Sequence, residues 1–495
     1  MFVNIKNSIQ LVCLIGAFLL PFPRAAQAQM QENCTPAYEA IIPLRNPNFN
    51  NLFMWRRVVG RTGYDWVSDY AALDDGYALS VGVSSADIHD DAVARDLSII
   101  RYDNEGQIVR ERQVSVDDLE DVVRVLRDGD NIYVGADFKG SDGRGYVQIM
   151  RMNFDGEDIQ YYPIKEADYD LTLSDMLFNS DGDITLTLKH VKRDAMGQPS
   201  SVFYTLDKKA NIIHQRQYLP GTPNYMVSVG VNMDGSYLGS GAVEVGRTLD
   251  GEVRLGGWIV NLDKLGAVYW QKSFARGAKA ELVKASNYSD VGVVSVGTAW
   301  PSITIDQAVH SSLWVMMSDT TGEPKWQRFI TGRKQYSYSA VDMHLFEDGR
   351  ISVLANAIAL EPSEKVRSHI RLITFSPQGT ILQDQAFVEG AESMARRMHV
   401  LDNGSFRIAG QLYTGYAPRS EANEEMLIGQ NQDGPNEEAE EEKSALQQLK
   451  ETTLEMSYHD KLAEDEPLSD ATLAPVIRGW LLAVEAPMPY KNPCR

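Results

Sequence analysis

A chain of 495 residues with 43% apolar side chains can build a large packed core. Its net charge of −21 disfavours nucleic acid and anionic membrane surfaces as partners, because both repel an acidic protein. In chain order, residues 1–28 read first as a signal peptide: Lys6 supplies the positive start, Ile9 to Leu20 the apolar core, and Ala26-Gln27-Ala28 the cleavage site. That apolar run is short for a bilayer span, and no later stretch is apolar for 18 residues. The expected product is exported, to the periplasm or outside the cell, with no membrane span and a charge of −23 once Lys6 and Arg24 are gone. Cys13 lies inside the signal and does not follow a small residue, which argues against a lipid anchor.

The mature chain keeps Cys34 and Cys494, one near each end. In an oxidising compartment they are expected to pair; the alternative is two free or intermolecular thiols. Such a bond would close nearly the whole chain, with a stabilisation of up to roughly 5 kcal/mol.

After an N-terminal tail (29–51), one phrase repeats. "MWRRVVGRTGYDWVSDYAALDDG" (Met54 to Gly76) returns as "KWQRFITGRKQYSYSAVDMHLFEDG" (Lys325 to Gly349). Tight turns of the Asp-Gly type end at Gly76, Gly129, Gly182, Gly235, Gly349 and Gly404, and "NYSDV" places Val291 in the same position. Turns of this type between alternating apolar runs are hairpin signals. Six residues after each marker lie Gly82, Gly135, Leu188, Gly241, Gly297, Ala355 and Gly410. A glycine recurring inside a strand suggests that another backbone passes close by. A second turn follows in each copy, as in "NFDG", "LDKLG" and "SDTTG". Each unit therefore reads as four strands, a to d, joined by hairpins.

Seven such units imply an all-β, seven-bladed β-propeller with four-stranded blades. The propeller spans 52–486, with blades at about 67–114, 121–164, 173–219, 227–274, 282–330, 340–388 and 394–486. The last blade lacks a good fourth strand after "RGWLLAVE" (Arg478 to Glu485). "NLFMWRRVVG" (Asn51 to Gly60) matches the d strands "AVYWQKSF" and "PKWQRFI", with Trp55 in the place of Trp270 and Trp326. Residues 52–59 are thus expected to pair into the last blade and close the ring, removing exposed edges. Cys34–Cys494 would lock that join, leaving 487–495 as a C-terminal tail.

"GGWIVNLDKLGAVYWQKSF" (Gly256 to Phe274) and "SLWVMMSDTTGEPKWQRFI" (Ser312 to Ile330) resemble the blade phrase of bacterial quinoprotein-type (PQQ-like) propellers. The chain is also similar to exported repeat proteins of the form "DGGY–VVG–…–LD–G–W". The quinoprotein resemblance implies oxidation of alcohols or sugars with pyrroloquinoline quinone and calcium, commonly on eight blades with a pair of adjacent cysteines. The seven repeats and the lack of adjacent cysteines here disfavour that enzyme.

Counting back from each turn aligns the a strands that would line a central channel. Seven before the marker lie Asp69, Val122, Asp175, Ser228, Lys284, Asp342 and Arg397; five before it, the column ends in His344 and His399. Asp69, Asp175, Lys284, Asp342, His344, Arg397 and His399 are the candidate ligand-binding set. Converging carboxylates and imidazoles bind a cation or a polar ligand, calcium being the cation considered; the alternative is a watery channel with ion pairs bridging the blades. No cofactor is otherwise expected, and no metal is assigned.

Tyr64, Trp66, Tyr225, Tyr336 and Tyr338 are expected on d–a loops, either contacting a glycan or protein or capping the blade cores. One b–c connection is an insertion, Ala417 to Pro475, with 16 acidic and 4 basic residues. It is either a contact for a basic partner or a solvated loop; "NEEAEEEKSALQQLKETTLEM" (Asn436 to Met456) reads as a short helix within it. G-x-S-x-G, H-E-x-x-H and P-loop patterns are absent. The leading expectation is a monomeric binding or scaffold protein for an envelope protein or glycan. The alternatives are an oxidoreductase, hydrolase or lyase using the channel, and a structural envelope component.

Overall fold

A computed structural model describes residues 34–49, 53–60, 63–73, 77–85, 95–193, 197–248, 251–300, 310–332, 335–361, 366–418, 473–491 and 494. The signal segment and the short helix read at 436–456 lie outside the described residues. The described residues are all-β, without a helix, and so none among them is long and apolar enough to cross a membrane.

Consecutive strands build antiparallel meanders. β1 (Glu39–Pro43) and β2 (Trp55–Val59) come first. Then follow β3 (Tyr64–Ala72), β4 (Ala78–Ser85), β5 (Arg95–Tyr102) and β6 (Ile108–Ser115), and next β7 (Leu119–Asp128), β8 (Asn131–Lys139), β9 (Gly145–Asn153) and β10 (Gln160–Ile164). β11 (Tyr169–Phe178) to β14 (Ile212–Gln217), β15 (Asn224–Val231) to β18 (Val268–Phe274), β19 (Lys279–Tyr288) to β22 (Pro324–Thr331) and β23 (Tyr336–Leu345) to β26 (Ile381–Phe387) repeat the pattern. β27 (Glu392–Val400), β28 (Phe406–Pro418) and β29 (Leu473–Val484) begin one more meander, and β2 pairs antiparallel with β29 as its outer strand, Trp55 opposite Ala483 and Val59 opposite Gly479.

The first strands pack side by side: β3 on β7, β7 on β11, β11 on β15, β15 on β19, β19 on β23, β23 on β27, and β27 on β3. Four-stranded meanders gathered on their first strands are the β-propeller architecture. The apolar cores lie between adjacent meanders. One cluster joins Val294, Val315 and Trp326 of β19–β22 to Val353, Ala357 and Ile373 of β23–β26. Both faces of each sheet are therefore covered, which is why strands such as β21 (Ser312–Ser318, SLWVMMS) are buried on alternate and intervening residues alike.

Each first strand carries a β-bulge, between Val67 and Asp69, Val122 and Arg124, Leu173 and Asp175, Met226 and Ser228, Leu282 and Lys284, Ala340 and Asp342, and Ala395 and Arg397. The glycine column lies opposite it. A Cβ on Gly82, Gly241, Gly297 or Gly410 would sit 1.8–2.1 Å from the carbonyl oxygen of Trp66, Tyr225, Glu281 or Met394. The close backbone is thus the paired first strand at its bulge.

Outer strands are stapled to the next meander. Trp55 lies under Gly106, Trp270 under Gly322 and Trp326 under Gly379, each a turn glycine with φ of 72–84°. The cation two residues on completes the contact: Arg57 Nε donates to the Gly106 carbonyl and Arg328 Nε to that of Gly379 at 3.1 Å.

The termini depart from expectation in two ways. The stretch read as a tail contains β1, which adds a fifth, parallel strand to β22, Glu39 opposite Gln327 and Pro43 opposite Thr331. The Cys34–Cys494 bond forms, with Cα atoms 5.4 Å apart. It does not lie at the β2–β29 join, however; it sits with Tyr288, Met317, Trp326 and Pro377, beside β19–β22 and the turn before β26. The reason is that both ends travel. After β1 the chain passes Arg371, which donates to the Arg45 carbonyl at 3.1 Å, and His369, whose ring meets Phe49, before reaching β2. The C-terminal run returns past Arg350, which donates to the carbonyls of Pro487 and Met488. The insertion also begins later than expected, since Ala417–Ala474 and Pro418–Leu473 are still paired strand positions; residues 419–472 lie outside the described residues.

Candidate functional site

The residue that follows each bulge occupies an equivalent place on its strand. In chain order these are Asp69, Arg124, Asp175, Ser228, Lys284, Asp342 and Arg397. The set differs from the sequence column at one place: Arg124 replaces Val122, which is a buried core residue. The β7–β8 hairpin is tighter than its counterparts, closing with Asp128 opposite Asn131, whereas Phe178 lies opposite Ile184 in the next meander. Counting from the glycine therefore slips by two residues. The short "RDGDN" turn is the signal that would have found Arg124.

The column alternates in sign, three carboxylates against three cations. Each carboxylate is buried and latches the neighbouring first strand. Asp69 Oδ2 accepts the Val125 N–H at 2.7 Å, Asp175 Oδ2 that of Val229 at 3.1 Å, and Asp342 Oδ2 that of Met398 at 3.2 Å. In every case the donor is the residue just after the equivalent position on the next strand. The other oxygens are also engaged. Asp175 Oδ1 and Asp342 Oδ1 accept the N–H of Met176 and Met343, and Asp69 Oδ1 meets His399 Nε2 at 2.5 Å.

The cations lie among these groups, and Arg124 bridges two of them. Arg124 spans Asp69 at 3.5 Å and Asp175 at 3.3 Å and donates from Nε to the Met176 carbonyl. Lys284 Nζ is 3.7 Å from Asp342 Oδ1. Arg397 donates to the Val123 carbonyl at 3.5 Å.

Burial by itself would raise the Asp69 pKa, but His399, Arg124 and Arg397 outweigh it and hold the carboxyl well below its ordinary range. The same contest lowers Asp342, with Lys284, Arg397 and Arg124 on the winning side. Burial lowers His344, and Lys284 adds to that against Asp342; its ring packs edge-on against Phe346. The structure thus gathers six of the seven predicted residues, with Arg124, along one column of first strands, as the set His399–Asp69–Arg124–Asp175, the pair Lys284–Asp342 and Arg397, and leaves His344 beside it. A cation would have to displace hydrogen bonds already made. Among the described residues no group of three or more His, Cys, Asp or Glu is placed to hold a metal.

The predicted loop aromatics require correction. Tyr64 and Trp66 are on β3, Tyr225 on β15, and Tyr336 and Tyr338 on β23. Tyr64, Trp66, Tyr336 and Tyr338 are buried in the cores between meanders. The half-buried Tyr225 gives its hydroxyl to Glu281 on the next meander. The first strands start before the bulge, farther upstream than the turn spacing indicates, so aromatics expected on connections become core. Trp66 instead anchors a network that sequence reasoning missed. Its Nε1 donates to Asp121 Oδ1 at 2.8 Å, and Arg396, 4.9 Å above the Trp66 ring, pairs with Asp121 at 2.8 Å and donates to Gln411.

No known family's sequence profile matches the chain, and no curated protein matches it. Among solved structures, it is similar to the β-propeller domain of the Trilobed protease from Pyrococcus furiosus (12% identity, TM-score 0.39, covering 70% of this chain and 91% of that one). It is also similar to puromycin hydrolase (12% identity, TM-score 0.39, 72% of this chain but 51% of that one). A third is the GH93 alpha-L-arabinofuranosidase of Fusarium graminearum (10% identity, TM-score 0.38, 58% and 86%). These likenesses are too distant to transfer an activity, and none of them is of the quinoprotein type.

Proposed function

We propose that this chain is an exported, seven-bladed β-propeller, closed by β2 in its last blade, that acts as a binding protein in the cell envelope. Its partner is a basic envelope protein, met on the face formed by the b–c and d–a connections. The observation that carries this reading is the origin of the acidic insertion. Its ends, Pro418 and Leu473, are paired at one end of the β28–β29 hairpin, so the segment leaves from a single point on that face. Opposite charge steers association and selects partners. The β2–β29 pairing and the side-by-side first strands support the closed ring, and the disulfide fits an exported protein. Burial of four of the five aromatics favours a protein over a glycan. Acid–base work by Asp69, Asp175 and Asp342 is disfavoured, because their carboxylates already accept backbone N–H groups.

The test is capture from an envelope extract by the intact protein and by a variant lacking 419–472. The intact protein should retain basic proteins at low ionic strength and release them at high salt. Equal capture by the deletion variant overturns the reading.

A further inference from the structure

We propose that Cys34–Cys494 is a redox-operated clasp that decides whether the outer edge of β22 is filled by β1 or open to another extended chain. β1 is weakly held by its own contacts. It is five residues long and parallel, with Ile41 70% exposed and Tyr38, just before it, 53% exposed. Of its side chains only Ile42 packs on the core, joined by Leu44 just beyond. Beyond the five-residue parallel ladder to β22, its neighbourhood adds a handful of polar contacts: Gln327 N donates to the Tyr38 carbonyl, Leu44 N to that of Thr331 and Arg328 to that of Ala37 at 3.0 Å, and Glu39 meets Gln327 Nε2 at 3.2 Å and Arg276 at 3.4 Å. A short parallel strand at a sheet edge is marginal without a tether. The tether is the disulfide, five residues before β1, and Cys34 is exposed to a reductant.

The switching step is thiol–disulfide exchange. A dithiol attacks the Cys34–Cys494 bond, a mixed disulfide forms, and the second thiol resolves it. The protein gains two electrons and two protons as two thiols, and the dithiol leaves as a disulfide. β1 then leaves β22, whose N–H and C=O groups become available for strand addition. The segment that fits has the pattern of β1: extended, acidic opposite Gln327, and apolar opposite Ile330 and just past Thr331.

Two readouts on the full-length protein test this. The first is trypsin cleavage after Arg45, which lies between β1 and β2, with and without dithiothreitol. The second is binding of a labelled synthetic peptide spanning Pro36–Arg45. Reduction should speed cleavage at Arg45 by about tenfold or more, because local opening sets the rate. The peptide should bind the reduced protein and not the oxidised one. A Cys34→Ser/Cys494→Ser variant should behave as the reduced protein in both assays, without any reductant present. Equal protection of Arg45 in both redox states, or peptide binding that ignores the redox state, overturns the proposal.

Discussion

At the scale of single residues, the repeated glycine is a steric requirement set by the bulge. At Gly82, Gly241, Gly297 and Gly410 the first strand brings a carbonyl oxygen so close to the paired second strand that only hydrogen fits, whereas Leu188 and Ala355 occupy the same column in two other meanders. Gly241→Ala should therefore destabilise by about 1–3 kcal/mol in urea titrations, as overpacking does. Asp137 is the opposite kind of residue, invisible in its sequence context "GADFKG". It accepts the Leu173 N–H at 2.7 Å from the next meander. Burial dominates and, with Asp121 and Glu120 nearby, pushes its pKa from 3.8 up to about 7 despite that bond. The folded state holds this proton more tightly than the unfolded chain, so its contribution is complete below the unfolded value and is lost as pH rises toward about 7. Asp137→Asn keeps the acceptor and cannot ionise. The variant should gain stability relative to the native protein at about pH 8 and lose that advantage near pH 4, measured by thermal melts.

At the scale of elements, the first strands are tied together by side chains reaching for the neighbour's backbone. Asp69, Asp175 and Asp342 do this once each, always to the residue after the equivalent position. Asp342→Ala would leave the Met398 N–H unanswered and Lys284 without its carboxylate. A loss of about 3–5 kcal/mol is expected, as for a broken buried pair. Asp342→Asn should cost less, because it can still accept from Met398. An unchanged urea midpoint for Asp342→Ala would contradict this latch. The residue types of the column were legible in the sequence, since hairpin spacing places Asp, Lys and Arg together. Their partners were not, because each partner lies on a strand some 55 residues away and a two-residue change in one turn is enough to replace Arg124 by Val122.

At the scale of the whole molecule, the termini form a belt over β19–β29, and His369 lies beneath it. The imidazole is wedged edge-on between Phe49 and Tyr336, and neither ring nitrogen makes a hydrogen bond. Burial, reinforced by Arg371, depresses its pKa from 6.5 to about 3. The unfolded chain takes up a proton below about 6.5 that the folded protein refuses until about 3, so stability falls across that window. His190 and His344 are shifted the same way. His369→Phe should flatten, without abolishing, the fall in melting temperature between about pH 7 and about pH 4.5. An unchanged pH profile would show that the belt does not bury this histidine in solution.

The sequence by itself determined the repeated meander, the positions of the turns and the assignment of a strand within residues 52–59 to the final sheet, and it left the cysteine pairing as an expectation. Those features follow from local chemistry: turn residues with φ > 0, alternation along strands, and the count of strands that need partners. Only the tertiary structure decided that the carboxylates of the column are latches, that four of the five aromatics are core, and that the disulfide lies beside β19–β22 rather than at the join. Those outcomes depend on which atom of one meander meets which atom of the next. That registry is set by bulges, strand length and the path of the termini across neighbouring sheets, none of which has a period in the chain.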